Sequence, residues 1–406
     1  MRYAMKLSSL GFVFAASGAL VALASCAESE PATPDTRFDA STVPDVPPPD
    51  AALADAGCEA GADGECVAAT DCSNADFCPV PTGTDPRTAF TAVWGSSKDD
   101  VWIVGTQGSI LHWNGASFTV TPSGTKNALF AVTGTGPTDV WAVGSRETVL
   151  HSTGFANGAA TWAAGPAVAP MYAPYGAPSN ENLLLTVLAR AGGEVWTAGE
   201  PYPVLPDGST QPIDMNFWRR EGWSDDPWTS DVVARRLVIR AFWAVGPNDV
   251  WAVGGNDTTT TTRMGRTLHA SGSTGGKGPT WTEYDSQSFN ELNAVWGSSA
   301  NDVWAVGNSG VVRRWMGASA KRWQIVDVPT EDDLTGVWGS GANDVWVVGE
   351  HGTILHFDGT TWTQPVAAFP AGLSPHLRGV WGSGPNDVWI VGDSMVLRFT
   401  GKVGQP

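Results

Sequence analysis

From Phe90 onward, apolar and polar positions follow one another in a fixed order that repeats along the chain. The clearest copies are VWGSSKDDVWIVG at 93–105, VWGSSANDVWAVG at 295–307, VWGSGANDVWVVG at 337–349 and VWGSGPNDVWIVG at 380–392. Weaker copies are VTGTGPTDVWAVG at 132–144, VLARAGGEVWTAG at 187–199 and FWAVGPNDVWAVG at 242–254. Each joins a short apolar run to a polar Ser-, Gly- and Asn-rich stretch, then an acid, then a second apolar run ending in Gly. Side chains alternate between the faces of a strand, so the two runs predict strands joined by an Asx-type turn. In the first copy the strands fall at 92–95, 101–105 and 110–113, with a fourth from Phe118. Trp162 and Trp362 mark the fourth strand in other copies.

The acid falls six positions after the first Trp or its equivalent, at Asp100, Asp139, Glu194, Asp249, Asp302, Asp344 and Asp387. The spacings of 39, 55, 55, 53, 42 and 43 residues suit a four-stranded propeller blade. One such sheet cannot cover both its faces, so the units must pack on one another. The expectation is an all-β chain with a seven-bladed β-propeller of four-stranded blades. The last copy stops after its third strand, at 395–399. Phe77 lies 17 residues before Trp94, close to the spacing of fourth-strand aromatics elsewhere. Residues 76–80 are therefore a candidate to close the ring, with Pro79 on the outer side.

Composition agrees: 48 Gly, 28 Pro and 21 Trp with only 16% charged residues describe a β-rich, turn-punctuated chain. The formal charge of −18 excludes a nucleic-acid binder on electrostatic grounds. At the start, Arg2 and Lys6 precede an apolar stretch over 7–22. That stretch is shorter than the ~20 residues of a spanning helix and reads as a signal peptide over 1–25. Residues 26–57 form an acidic Pro/Ala-rich tether, with Arg37 its only cation. Residues 58–83 form a neck with Cys58, Cys66, Cys72 and Cys78, expected to make two disulfides whose connectivity stays open. Their gaps of seven, five and five residues do not match the Cys-x-x-Cys spacing of zinc sites. The propeller occupies 84–406.

Two resemblances add to this. Leu23-Ala24-Ser25-Cys26 resembles the bacterial lipobox, which implies that Cys26 is acylated and anchors the chain to a membrane. Ala27, rather than Asp, then implies the outer membrane, facing the periplasm or the cell surface. The repeats over 90–402 resemble bacterial propellers related to sialidase-type and photosystem II assembly-factor repeats, and most of all Trp-rich lipoprotein propellers of myxobacterial type.

Repetition also removes candidates. A residue present in every blade serves what every blade needs, so the seven acids read as turn caps rather than catalytic groups. His112, His151, His269 and His356 recur at one position in four blades, too far apart to share an ion, and no metal or cofactor is expected. Strand positions absorb twenty Trp, with Trp113, Trp218 and Trp315 on third strands and Trp228 preferred over Trp223 on a fourth; Trp223 is left over. Loops at 164–182, 200–212 and 255–264 share one rim and hold Tyr172, Tyr175 and Tyr202, apolar platforms with polar tips. Insertions at 219–226 and 270–280 place Arg219, Arg220 and Trp223 on the opposite rim.

These features describe a non-catalytic, monomeric, surface-anchored binding module for an extracellular glycan or protein. The alternatives are a glycan-cleaving propeller, sialidase-like or lyase, and a subunit of an envelope or pilus-tip adhesin assembly. The Arg-Ile-Pro and Ser-x-Asp-x-Gly-x-x-Trp signatures of sialidases are absent, as are Gly-x-Ser-x-Gly and His-Glu-x-x-His.

Overall fold

The computed structural model describes residues 58–60, 66–68, 71–166, 168, 183–190, 193–200, 217–221, 228–231, 237–246, 249–256, 264–271, 279–370 and 372–401. All but Cys58 belong to the second of two compact units, Glu59–Pro406. The signal, the tether and Cys26 lie outside the described residues, as do the side chains of Cys58 and Cys66.

Seven four-stranded antiparallel sheets follow one another along the chain. In the first, Phe90–Ser97, Asp100–Gly105, Ile110–Trp113 and Phe118–Val120 pair in sequence order. The first strands of successive blades contact one another in a closed cycle, with Leu377–Gly384 of the seventh against Phe90–Ser97 of the first. The fold is a seven-bladed β-propeller. The seventh sheet takes its fourth strand from the other end of the described chain: Phe77–Pro79 pairs with Met395–Phe399, through Phe77 opposite Phe399 and Pro79 opposite Leu397. The stretch 58–83 therefore does more than form a neck, because part of it completes a blade. Thr400 N–H donates to Asp76 O and Val80 N–H to Val396 O, so Asp76, Cys78 and Val80 face the sheet and Pro79 faces outward. Proline is tolerated there because no ladder bond is lost. A Cys72–Cys78 disulfide ties this strand to the chain before it.

The core consists of layers between neighbouring blades rather than one central mass. The second-strand Trp102, Trp141, Trp196, Trp251, Trp304, Trp346 and Trp389 are all almost fully buried. Each is received by large side chains of the next blade: Trp102 by Trp162, Trp251 by Trp315 and Trp323, and Trp389 by Trp113 and Phe118. For Trp346 the receiving rings are Phe399 and Phe77, each edge-on at 5.3 Å, so the closing strand supplies the aromatic that other blades carry on their fourth strands. Trp228 is buried in the equivalent layer around Trp141, in line with its assignment to the scaffold. Trp218 departs from the expected alignment. It pairs with Thr197, whereas Trp113 and Trp315 pair with the Val two residues nearer the start of the second strand, and Arg220 occupies their position in blade 3.

First strands interlock through the Trp-Gly pair of the motif. The rings of Trp94, Trp243, Trp296, Trp338 and Trp381 lie against Gly134, Gly297, Gly339, Gly382 and Gly95 of the following blade. A Cβ on any of these glycines would stand 2.5–2.7 Å from a ring carbon. Blades 2 and 3 carry Thr133 and Leu188 at the Trp position, and the blades after them carry Ala189 and Ala244 at the Gly position. Every first strand also bulges within its first four residues, and several of the bulged residues stitch neighbouring blades. Thr91, Asn293 and Thr335 donate to Leu129 O, Leu334 O and Leu377 O.

The interlock yields a measurable expectation. Gly297→Ala forces a methyl into the Trp243 ring and the Asp302 carbonyl, and overpacking of this kind costs about 1–3 kcal/mol. Trp243→Leu removes the ring and recreates the Leu–Ala pairing found between blades 3 and 4. In urea unfolding the double variant should be more stable than the sum of the single effects by about 0.5 kcal/mol or more. Strict additivity would show that the ring does not set the glycine requirement.

Candidate functional site

The repeated acids have two sets of partners. Within the turn, Ser96, Thr135, Ser298 and Ser383 donate to Asp100, Asp139, Asp302 and Asp387 at 2.6–2.7 Å, as a turn cap should. Across to the third strand, each acid also meets a basic side chain. Nε2 of His112, His151, His269 and His356 lies 2.6–2.9 Å from Asp100, Asp139, Asp249 and Asp344. Arg314 and Arg398 bond Asp302 and Asp387, and Arg219 approaches Glu194 at 3.6 Å. All seven acids are thus acid–base clamps between second and third strands. A basic residue 12 positions after the acid in four of the seven blades was the available signal.

Arg219 and Arg220 are accordingly strand residues, not residues of a rim insertion. They lie in Phe217–Glu221, opposite Trp196 and Val195. Arg219 fills the clamp position, and Arg220 is buried with its guanidinium 5.8 Å from the centre of the Trp228 ring. Tyr172, Tyr175, Tyr202 and Trp223 lie outside the described residues. No group of three or more His, Cys, Asp or Glu side chains suited to a metal occurs among the described residues.

What the blades do not account for is a groove of about 610 Å³ between blades 4 and 5. Its lining comes from the ends of the second, third and fourth strands of blade 4 with Met264 before the third, from the connection 285–289, and from Ile325 on the outer strand Gln324–Val326 of blade 5. Three apolar side chains there stand in water, Phe289 at 84% exposure, Ile325 at 61% and Met264 at 44%. Tyr284 also lines the groove, with its ring 4.6 Å from that of Trp315 in the core. Arg266 makes a two-pronged bond to Glu283, at 2.7 and 2.8 Å.

The connection is held in place by side chains beneath it. Arg313, largely buried, donates to Ser286 O and twice to Gln287 O. Ser286 Oγ donates to Gly265 O, and Ser288 Oγ to Asn290 O. Asp285 accepts the Gln287 N–H at 2.9 Å. Phe289 therefore projects from a pinned wall rather than a loose loop. Sequence reading singled out the adjoining insertion at 255–264, whose last residue, Met264, lines the groove and is exposed.

No protein-family model and no curated protein sequence matches the chain. Solved structures do match in fold. One, titled YCF48 bound to D1 peptide, is 15% identical with a TM-score of 0.56, covering 82% of this chain and 99% of that one. The WD40 repeats of RRP9 are 8% identical with a TM-score of 0.58, over 80% of this chain and 97% of theirs. A streptogramin B lyase is 11% identical with a TM-score of 0.58, over 78% and 94%. At these identities the likeness establishes the propeller and leaves the ligand open.

The clamps also set an acid limit. At Asp100 burial acts to raise the carboxyl pKa, but hydrogen bonds from His112 and Ser96 and the attraction of His112 outweigh it and hold the group below its ordinary value. Burial is likewise outweighed at Asp139 by Thr135, His151 and Trp141, and at Asp344 by His356 and Ser340. A depressed folded pKa contributes stability that is present above the unfolded value of 3.8 and lost as pH falls through the folded one. Melting temperature should therefore fall steeply below about pH 4. A variant combining Asp100→Asn, Asp139→Asn and Asp344→Asn should melt lower at neutral pH and show a shallower acid limb. An acid limb as steep as the parent's would mean that acid breaks something else.

Proposed function

We propose that this chain is a membrane-anchored binding module of the Trp-rich bacterial lipoprotein propeller type, acting outside the cytoplasm on a protein or glycan without catalysing a reaction. The observation that carries the reading is the contrast between the repeated polar groups and the unrepeated apolar ones. The recurring acids, His and clamp Arg are engaged in holding strands together, whereas the groove between blades 4 and 5 keeps apolar side chains in water on a fixed wall. Contiguous exposed apolar surface rimmed by charge is the ordinary mark of an interaction site. A propeller of this fold that is titled as bound to a peptide supports the reading, and a lyase on the same fold makes an enzyme the competing one.

Anchoring is tested through Cys26, where the lipobox-like residues place the acyl chains. Cys26→Ser should move the protein from the membrane fraction to the soluble fraction and abolish incorporation of labelled fatty acid. Label retained on the variant would refute the assignment. Binding is tested by screening the full-length protein in detergent micelles against a glycan array and against peptide probes. A ligand should emerge whose affinity falls by about 2 kcal/mol when a central aromatic contact is truncated, as in Phe289→Ser. Turnover of any screened compound would favour the enzyme.

A further inference from the structure

The groove has an open strand edge along one side. Register with blade 7 identifies it: Gln324 opposite Arg314 and Ile325 opposite Arg313 correspond to Cys78 opposite Arg398 and Pro79 opposite Leu397. In blade 7 the backbone groups of Phe77 and Pro79 point away from the sheet, and Phe77 N–H bonds Val366 O of the preceding connection. In blade 5 Trp323 does the same, donating to Asp285 O. Past that point Gln287 adopts φ 56 and the connection turns off, leaving Ile325 as the next outward-facing residue of the edge. Where blade 7 closes this position with proline, blade 5 presents an N–H and C=O with no strand beyond among the described residues. An unguarded edge is a template for another strand.

Resting on the binding-module reading, we propose that the groove takes an extended peptide segment of a partner protein, added beside Gln324–Val326 as a fifth strand of blade 5. Side chains along a strand point alternately to two sides. One set would meet Met264, Phe289 and Ile325. The other would meet the carboxylates of Glu283 and Asp285, of which only Glu283 is paired with Arg266. The charged residues that line the groove are two carboxylates and one arginine, with Arg313 behind the connection, so Asp285 is the carboxylate left to meet a basic side chain of a segment alternating apolar and basic residues. A second copy of this chain, at −18, is repelled by the net charge of the first.

Full-length protein in micelles is titrated with a short fluorescein-labelled peptide alternating valine and lysine, and with its valine–glutamate counterpart. The lysine peptide should bind, the glutamate peptide should not, and added salt should weaken the former. Ile325→Pro removes an outward N–H and the isoleucine side chain, a change the fold already accepts at Pro79, and should weaken binding by roughly tenfold or more with unaltered melting temperature. Phe289→Ser should do likewise. Val120→Pro, the same change at the matching position of blade 1, should leave binding as it was. Equal binding by parent and Ile325→Pro, or no binding of the lysine peptide, overturns the proposal. A glycan that binds in a Phe289-dependent way would overturn the peptide while sustaining the binding module. Failure of every peptide and glycan would overturn both.

Discussion

The ring depends on one steric relation: a tryptophan on the first strand of a blade needs the next blade to have no side chain where the indole lands. Five Trp–Gly contacts obey it directly, and Thr133 and Leu188, smaller than Trp, are followed by Ala189 and Ala244. The relation runs one way round the ring, so it has a direction and must return on itself. Gly95, in the first blade, receives the ring of Trp381 from the last, beside the carbonyl of its own Asp100. Closure is thus demanded at the inner strands before the outer edge of blade 7 is considered. Once blades 7 and 1 are held together, Phe77–Pro79 stands beside Met395–Phe399 and completes that sheet.

Much of this was legible in the sequence because each blade solves the same packing problem. Blade number, strand positions and the closing segment all follow from aligning copies of one motif, since a period-two strand fixes its register once its Trp is placed. The directional Trp–Gly relation was legible too, but only by comparing each copy with the next rather than with a consensus. The clamp partners were missed for a different reason. Asp100 and His112 come from two strands, and loops of variable length separate Asp249 from His269 and Glu194 from Arg219, which blurs a regular spacing in the divergent blades. That divergence also misled the placement of Arg219 and Arg220. Counting from an assumed strand end put them in a loop, whereas the third strand of blade 3 runs through to Glu221.

The groove was beyond reach of sequence reading in a stricter sense. Phe289, Ile325 and Met264 come from a connection, an outer strand and the end of an insertion, and none is unusual alone. Their common feature is exposure, and exposure depends on which neighbours the fold brings or fails to bring. Phe289 looks on paper like any aromatic preceding a first strand. Arg313 makes the difference, because by holding the carbonyls of Ser286 and Gln287 it sets the course of the connection that carries Phe289. Burying a guanidinium is costly and is normally offset by full hydrogen bonding, and Arg313 is depressed in pKa chiefly by that burial. A fold that only needed to cover the blade edge could have done so with an apolar residue.

Edge strands supply the last step. A propeller closes its inner strands on one another but leaves one outer edge per blade, and each must be protected or put to use. Blade 6 protects its edge by brevity, with only Trp362–Thr363, and blade 7 by Pro79. Blade 5 does neither at Ile325, and it places an exposed Phe289 and two carboxylates alongside. Charge at such an edge serves as a filter: acidic neighbours repel the edges of other copies of an acidic chain while admitting a basic strand. Protection against self-association and selectivity for a partner would then have the same physical origin.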